Sequence, residues 1–429
     1  MNLYYKAKEI FPGGINHNIR FFNPYPFFTV KSEGKFLIDV DGNKYIDFWN
    51  GHWALILGHS PKTVRKSLKK QLKKGTLFGT ANDSSLQLGE LIKEAIPHAE
   101  NIRFCTTGSE ATMYAIRLAR AKTRKRFIAK VIGGWHGFNS NLLQSVNYPF
   151  EQEEGVGLLE DESQFIESIQ FNDLDKSLKV LETIKDDLAA IIVEPVLGGA
   201  GCITPVKGYL EGLQEFINKN NSLLILDEIV TGFRFSYKAV MDNFKLDPDI
   251  FTLGKIIGGG LPIGAVCGKK EIMGLADTTN KKEKSSYCSI GGGTFSANPM
   301  TMKAGYKTLK YLKKNPVVYE KINALGDLAR NELSKVFEEL KIEVEITGIG
   351  SLFMIHFLND KIKKINNASD VALSNTALLL NYNLALMSKF NIFFLPLKMG
   401  AFSNANEKED VYELINATRM IFESNKHNN

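Results

Sequence analysis

A chain of 429 residues is longer than one hydrophobic core usually organises, so two or three structural units are expected. Hydrophobic residues at 44% and charged residues at 23% exclude a disordered chain. No apolar run approaches the ~20 residues of a membrane-spanning helix, which argues against a membrane protein. The formal charge of +6 is spread over many lysines among 47 acids. Without a dense basic block it argues against nucleic acid and leaves room for a small anionic ligand.

The first residues, MNLYYKAKEIFPGG, lack the apolar core of a signal peptide, so a cytoplasmic location is expected. A hairpin is predicted from Phe36–Val40 and Tyr45–Phe48 around Asp41-Gly42-Asn43, because Gly42 accepts the positive φ of a tight turn. From about Ser60 onward, short apolar strands alternate with helix-periodic segments. The predicted strands are Ile102–Cys105, Phe127–Ile132, Ala190–Glu194, Leu223–Asp227, Ile250–Leu253 and Ala265–Cys267; Ser109–Ala121 and Tyr209–Asn218 read as helices between them. Strands joined by helical crossovers imply an α/β fold with a mostly parallel sheet covered on both faces, whose ligands bind at the carboxyl ends of the strands.

After about Asn298 the pattern changes to long Lys/Glu/Leu helices, then strands Glu343–Ile346 and Leu352–Phe357, and the polar tail after Phe422 is expected to fray. The expected division is 1–58 as an N-terminal arm and hairpin belonging to a smaller α+β domain, 59–298 as a large domain, and 299–429 as the rest of the smaller one. Cys105, Cys202, Cys267 and Cys288 lie far apart without metal-ligand spacing, so reduced thiols and no metal are expected.

Four segments at predicted strand ends draw attention. Leu223–Asp227 ends in an acid pair, Asp227-Glu228, where either a ligand or a neighbouring helix start is served. Pro248–Lys255 ends in a lysine followed by Gly258-Gly259-Gly260, a setting in which a concave site lowers an amine's pKa and makes it nucleophilic. Thr106–Thr112 joins a strand to a helix start, which suits either a plain N-cap or a phosphate held by free backbone N–H groups. In Gly133-Gly134-Trp135-His136-Gly137 the tryptophan sits either in the core or flat against a planar ligand.

Together, and in this order, these segments resemble the class III pyridoxal-5′-phosphate (PLP) aminotransferases of fold type I. The similarity is closest to the glutamate-1-semialdehyde aminomutase and β-amino-acid aminotransferase branch. LDEIVTGFR with PDIFTLGKIIGGGLPIGA carries the resemblance, which runs from Phe11-Pro12-Gly13-Gly14 to the last helix. It implies that Lys255 holds the cofactor as a Schiff base and shuttles a proton, and that Asp227 pairs with the pyridine nitrogen. By the same resemblance Gly108 and Ser109 bind the phosphate, Trp135 stacks on the ring, Val230 packs near it, and Glu194 and His136 stand beside the cofactor. Thr294, in GGGTFSANP, is expected to reach the phosphate of a second subunit, which implies a homodimer with shared active sites. Arg20 is expected to hold a substrate carboxylate.

The expected reaction moves an amino group from a carboxylate-bearing amine or amino acid to a 2-oxo acid. The alternative is glutamate-1-semialdehyde 2,1-aminomutase, an intramolecular transfer giving 5-aminolevulinate; an amino-acid racemase and a non-catalytic PLP-binding protein are lesser alternatives. Departures from the aminomutase pattern favour the aminotransferase: His17 replaces a serine and His52 a tryptophan. The loop Tyr148–Gly155 is not Gly/Ser-rich, and Leu397–Ser403 lacks an acid.

Overall fold

In this computed structural model, which describes residues 2–152, 154–280, 283 and 286–426, one seven-stranded sheet organises the middle of the chain. Its strands are β4 (Asn101–Cys105), β5 (Phe127–Val131), β6 (Ile166–Ile169), β7 (Leu188–Val193), β8 (Leu223–Asp227), β9 (Ile250–Gly254) and β10 (Gly264–Gly268). Their order is β4-β10-β9-β8-β7-β5-β6. Only β10 runs against the others, pairing antiparallel with both β4 and β9. The remaining six strands therefore deliver their carboxyl ends to one edge.

Period-two geometry explains the sheet's two covered faces. Leu224 and Leu226 of β8 join one hydrophobic cluster, and Ile225 between them joins a second cluster on the opposite face. The helix Gly108–Thr123 covers the second face, lying across β7 to β10. It begins with a capping box in which Thr107 accepts from the Glu110 N–H, while Glu110 accepts from Thr106 and Thr107.

Two smaller sheets lie outside this layer. One joins β1 (Thr29–Glu33), β2 (Phe36–Asp39) and β3 (Lys44–Asp47) to β13 (Ile392–Phe393), with β13 parallel to β3. The other comprises β11 (Val344–Thr347), β12 (Leu352–Phe357) and β14 (Gly400–Ala401). N-terminal and C-terminal segments thus share one sheet. The predicted hairpin is present as β2 and β3, but β1 escapes prediction because its Val-Lys-Ser-Glu run is mostly exposed and carries no apolar alternation. The tail differs from expectation as well: the final helix, Lys408–Lys426, continues past Phe422, and the last three residues lie outside those described.

One close approach positions the chemistry. The helix Pro299–Lys314 packs on the turn Lys255–Gly258, and a Cβ on Gly305 would sit 2.0 Å from the Ile257 carbonyl oxygen. Only glycine lets the two backbones touch there. G305A is expected to destabilise the protein by about 1–3 kcal/mol. The measurement is a lowered urea midpoint at unchanged slope, accompanied by weaker cofactor retention as the Lys255 turn is displaced.

Candidate active site

A cavity of about 680 Å³ opens at the carboxyl edge of the main sheet. Gly108, Ser109, Trp135, His136, Glu194, Asp227, Val230 and Lys255 all line it. These are eight of the ten residues expected from the sequence. Arg20 and Thr294 are exposed and do not line it. Arg20 nevertheless stands near the mouth, because its charge acts on His17 and His52 in the wall.

Asp227, the last residue of β8, is directly paired with Thr252 of β9, and Lys255 follows β9 after Gly254. Adjacent strand ends therefore bring the acid and the lysine into one cavity. One oxygen of Asp227 accepts from the Thr252 hydroxyl at 2.9 Å and the Ile229 N–H at 3.1 Å. The other lies 2.7 Å from Nδ1 of His136. Burial alone pushes the Asp227 carboxyl upward, but the hydrogen bond and charge of His136 and the other two donors outweigh it and hold it below the ordinary range. A carboxylate so held accepts only, which puts the His136 proton on Nδ1. The buried Nε2 of His136 is left without a partner.

Glu228, next to Asp227, has a different role. Burial pushes its carboxyl up to about 7, against the Val240 and Met241 N–H groups and the Thr231 hydroxyl that it accepts from. It ties a loop down and faces away from the chemistry.

Lys255 has a left-handed backbone, with φ of 47°. Its amine stands 5.8 Å from the centre of the Trp53 ring. Burial lowers its pKa to about 8, with Arg234 acting in the same direction and Asp227 and Glu194 opposing. Glu194 joins two loops of the wall, accepting from the Trp135 N–H at 3.0 Å and the Gly198 N–H at 3.1 Å. Burial raises its pKa. Trp135 meets Phe138 edge to face at 4.9 Å. Gly137, with φ of 86°, crosses so close to Ser109 that a Cβ would lie 2.6 Å from the Ser109 Cα. The Ser109 hydroxyl accepts from the Phe138 N–H at 3.1 Å, leaving its own proton free to donate.

Sequence reasoning missed part of the wall. His17 and His52 lie 5.2 Å apart, and neither is satisfied: His17 Nδ1 and His52 Nε2 are buried without partners. Burial, then the charges of Arg20, His17 and Lys255, lowers His52 to about 3, so it is neutral at any working pH. His52 belongs to a run of four left-handed residues, Asn50, Gly51, His52 and Trp53, with φ between 46° and 63°. Fully buried Arg234 donates to the carbonyls of Trp53 and Phe402, and Asn50 and Trp53 donate to Ala401 and Met399. No short-range motif in the sequence signals these long-range bonds. The loop Tyr148–Gly155 does reach the cavity, where Glu154 accepts from the Val146 and Asn147 N–H groups; its Glu153 lies outside the described residues.

These features fit PLP. A dianionic phosphate suits the free first-turn N–H groups of the helix at Gly108 and Ser109 and the Ser109 hydroxyl. An ionised, acceptor-only carboxylate suits a protonated pyridine nitrogen, and an amine whose pKa burial lowers suits an aldehyde.

Fold and site together define a PLP enzyme of fold type I. Residues 21–381 match the family described as Aminotransferase class-III, and the chain belongs to that family. Over 421 residues, 97% of each chain, it is 38% identical to the glutamate-1-semialdehyde 2,1-aminomutase of Sulfurisphaera tokodaii. An omega-transaminase from Sphaerobacter thermophilus superposes with a TM-score of 0.91 at 29% identity, covering 98% of this chain and 96% of the other. A β-phenylalanine aminotransferase from Variovorax paradoxus gives 0.88 at 26% identity, covering 99% and 94%. Among the described residues no helix is long and apolar enough to cross a membrane.

The lowered pKa of Lys255 has a measurable consequence. In cofactor-free protein an amine-selective acylating reagent should label Lys255 at a rate that rises through pH 8 and levels off above it, because only the neutral amine reacts. An ordinary lysine keeps rising to about 10.4. Peptide mapping by mass spectrometry over a pH series checks this.

Proposed function

We propose that the chain moves an amino group on a small carboxylate-bearing substrate, with Lys255 holding the cofactor and transferring the proton. The observation that carries this is the placement of Lys255 and Asp227 on adjacent strand ends in one cavity, beside a free helix start. When bound, PLP supplies an electron sink for the charge left when the substrate carbon loses its proton. Asp227 keeps a negative charge at the far end of the site, fixed by three donors, so no reorganisation is needed as positive charge is held opposite it. Lys255 Nζ takes the proton from the substrate carbon and returns it on the same face. Trp135 and Val230, which line the cavity, would pack against the cofactor's ring, and His136 orients Asp227. Glu194 fixes the Trp135 loop.

Two outcomes share these steps. The named relatives at 35–38% identity over most of the chain support glutamate-1-semialdehyde 2,1-aminomutase, in which the nitrogen returns to an adjacent carbon of the same molecule. We adopt that reading over the intermolecular transfer expected from the sequence. The second reading, transfer to a 2-oxo acid, is supported by the departures from the aminomutase pattern at His17 and His52, both of which line the cavity. The smaller domain of this proposal combines 1–58 with 299–429, as the shared β3–β13 pairing supports. A homodimer is part of it too, with exposed Thr294 serving the partner's phosphate site; Arg20, expected to receive a substrate carboxylate, is exposed near the mouth.

Incubation with glutamate 1-semialdehyde alone should give 5-aminolevulinate at catalytic rates; product that forms only after 2-oxoglutarate or pyruvate is added establishes the second reading. D227N should lower kcat by about 10²–10³ while cofactor remains bound, the cost of removing one preorganised electrostatic group. Lys255→Ala should abolish turnover. Sedimentation analysis should give twice the 48.0 kDa chain mass.

A further inference from the structure

Lys398 also lines the cavity, and neither the cofactor's needs nor the groups assigned above account for it. It lies between β13 and β14, in backbone pinned on both sides. The Leu397 N–H donates to Asn383 at 3.0 Å, and the Met399 carbonyl accepts from the Trp53 indole at 2.9 Å. The side chain is therefore presented from a fixed platform. Its ammonium has three donors, yet it makes one long hydrogen bond, 3.4 Å to the Gly199 carbonyl. No carboxylate pairs with it among the described residues. Burial pushes its pKa down, as it does for any shielded amine without a counter-charge.

A shielded, unpaired cation is costly unless something anionic answers it. The cofactor's phosphate is already served by the helix start at Gly108 and Ser109. Lys398 stands elsewhere, at the Gly199 wall, where a Cβ on Gly199 would lie 3.8 Å from the Cβ of Trp135. Arg20 stands toward His17 and His52, on both of which its charge acts. Leu397 beside it, and Met354, Val371 and Leu379 among the lining of the same cavity, add apolar surface, together with His356, Ser374 and Thr376. A cation in a cavity with this much apolar lining fits a carboxylate at the end of a short aliphatic chain.

We propose that Lys398 is a specificity-determining anchor for the carboxylate of a short aliphatic substrate. This rests on the reading of the cavity as a PLP and amine site. It deepens that reading by placing the substrate's acid end at the Gly199 wall.

Calorimetric titration of PLP-loaded enzyme with glutarate, and with its uncharged diamide, tests the assignment. Wild type should bind glutarate and discriminate against the diamide. K398M should weaken glutarate binding about tenfold and erase that discrimination, the effect of losing one charge-assisted hydrogen bond. K398R should recover binding to within about threefold, because a guanidinium also pairs with a carboxylate. K398Q, which keeps polarity but removes the charge, should resemble K398M. Glutarate affinity unchanged in both K398M and K398Q overturns the proposal, as does wild type that binds no glutarate. Cofactor absorbance recorded on each sample keeps the two readings apart: loss of PLP from wild type defeats the cofactor assignment, whereas PLP retained with unchanged glutarate binding defeats the anchor alone.

Discussion

The site depends on one buried carboxylate. Asp227 gathers the Thr252 hydroxyl from β9, the His136 imidazole from the loop after β5, and the Ile229 N–H from its own turn. Each bond draws a different element toward the strand edge, and together they offset the desolvation that would otherwise neutralise the acid. Leaving that charge without its donors would cost several kcal/mol, more than any one of these hydrogen bonds contributes. The charge therefore fixes the arrangement, and the arrangement fixes the charge. Glu228 shows the contrast: one residue later, with only neutral donors and no imidazole, the carboxyl is pushed up to about 7.

The opposite wall is held by a different device. A left-handed conformation costs an ordinary residue about 1–2 kcal/mol, and Asn50, His52 and Trp53 adopt it in succession around Gly51. Such a run persists only where the surroundings over-determine it. Asp47 accepts from the Trp49 and Asn50 N–H groups and pairs with His59 at 2.7 Å. Arg234 and the Ala401 and Met399 carbonyls hold the run from the other side. The bonds from that other side join segments more than 180 residues apart in the chain, so the turn's geometry is complete only once those segments have met. The outcome is an imidazole and an indole placed beside Lys255.

This difference in range explains what the sequence discloses. Leu223–Asp227 is legible to the residue because an apolar strand ending in an acid is a local pattern; the Lys255 turn is legible because its glycines follow it directly. Strand β6, Ile-Glu-Ser-Ile, is not, since an edge strand of four residues alternates too briefly to register. His17 and His52 register in the sequence only as departures from the aminomutase pattern; folding places them in the wall and buries a nitrogen of each without a partner. Arg234, inside the most diagnostic motif of the chain, gives no sign of its role because both of its acceptors are distant carbonyls. Arg20 and Thr294 test the opposite case: family resemblance carries them to the site, but within one subunit the fold leaves both on its surface.

The cations of the cavity divide along the same lines. Lys255 sits where Asp227 and Glu194 partly offset burial, and its amine is left near 8, poised between charged and neutral forms. Arg20 is exposed, and its charge acts on the two histidines to lower both. Lys398 has no carboxylate partner among the described residues, and burial acts on it unopposed. The two lysines therefore differ in where their counter-charge comes from: Asp227 and Glu194 supply part of it to Lys255, whereas for Lys398 it would arrive with the ligand, whose carboxylate favours the charged amine.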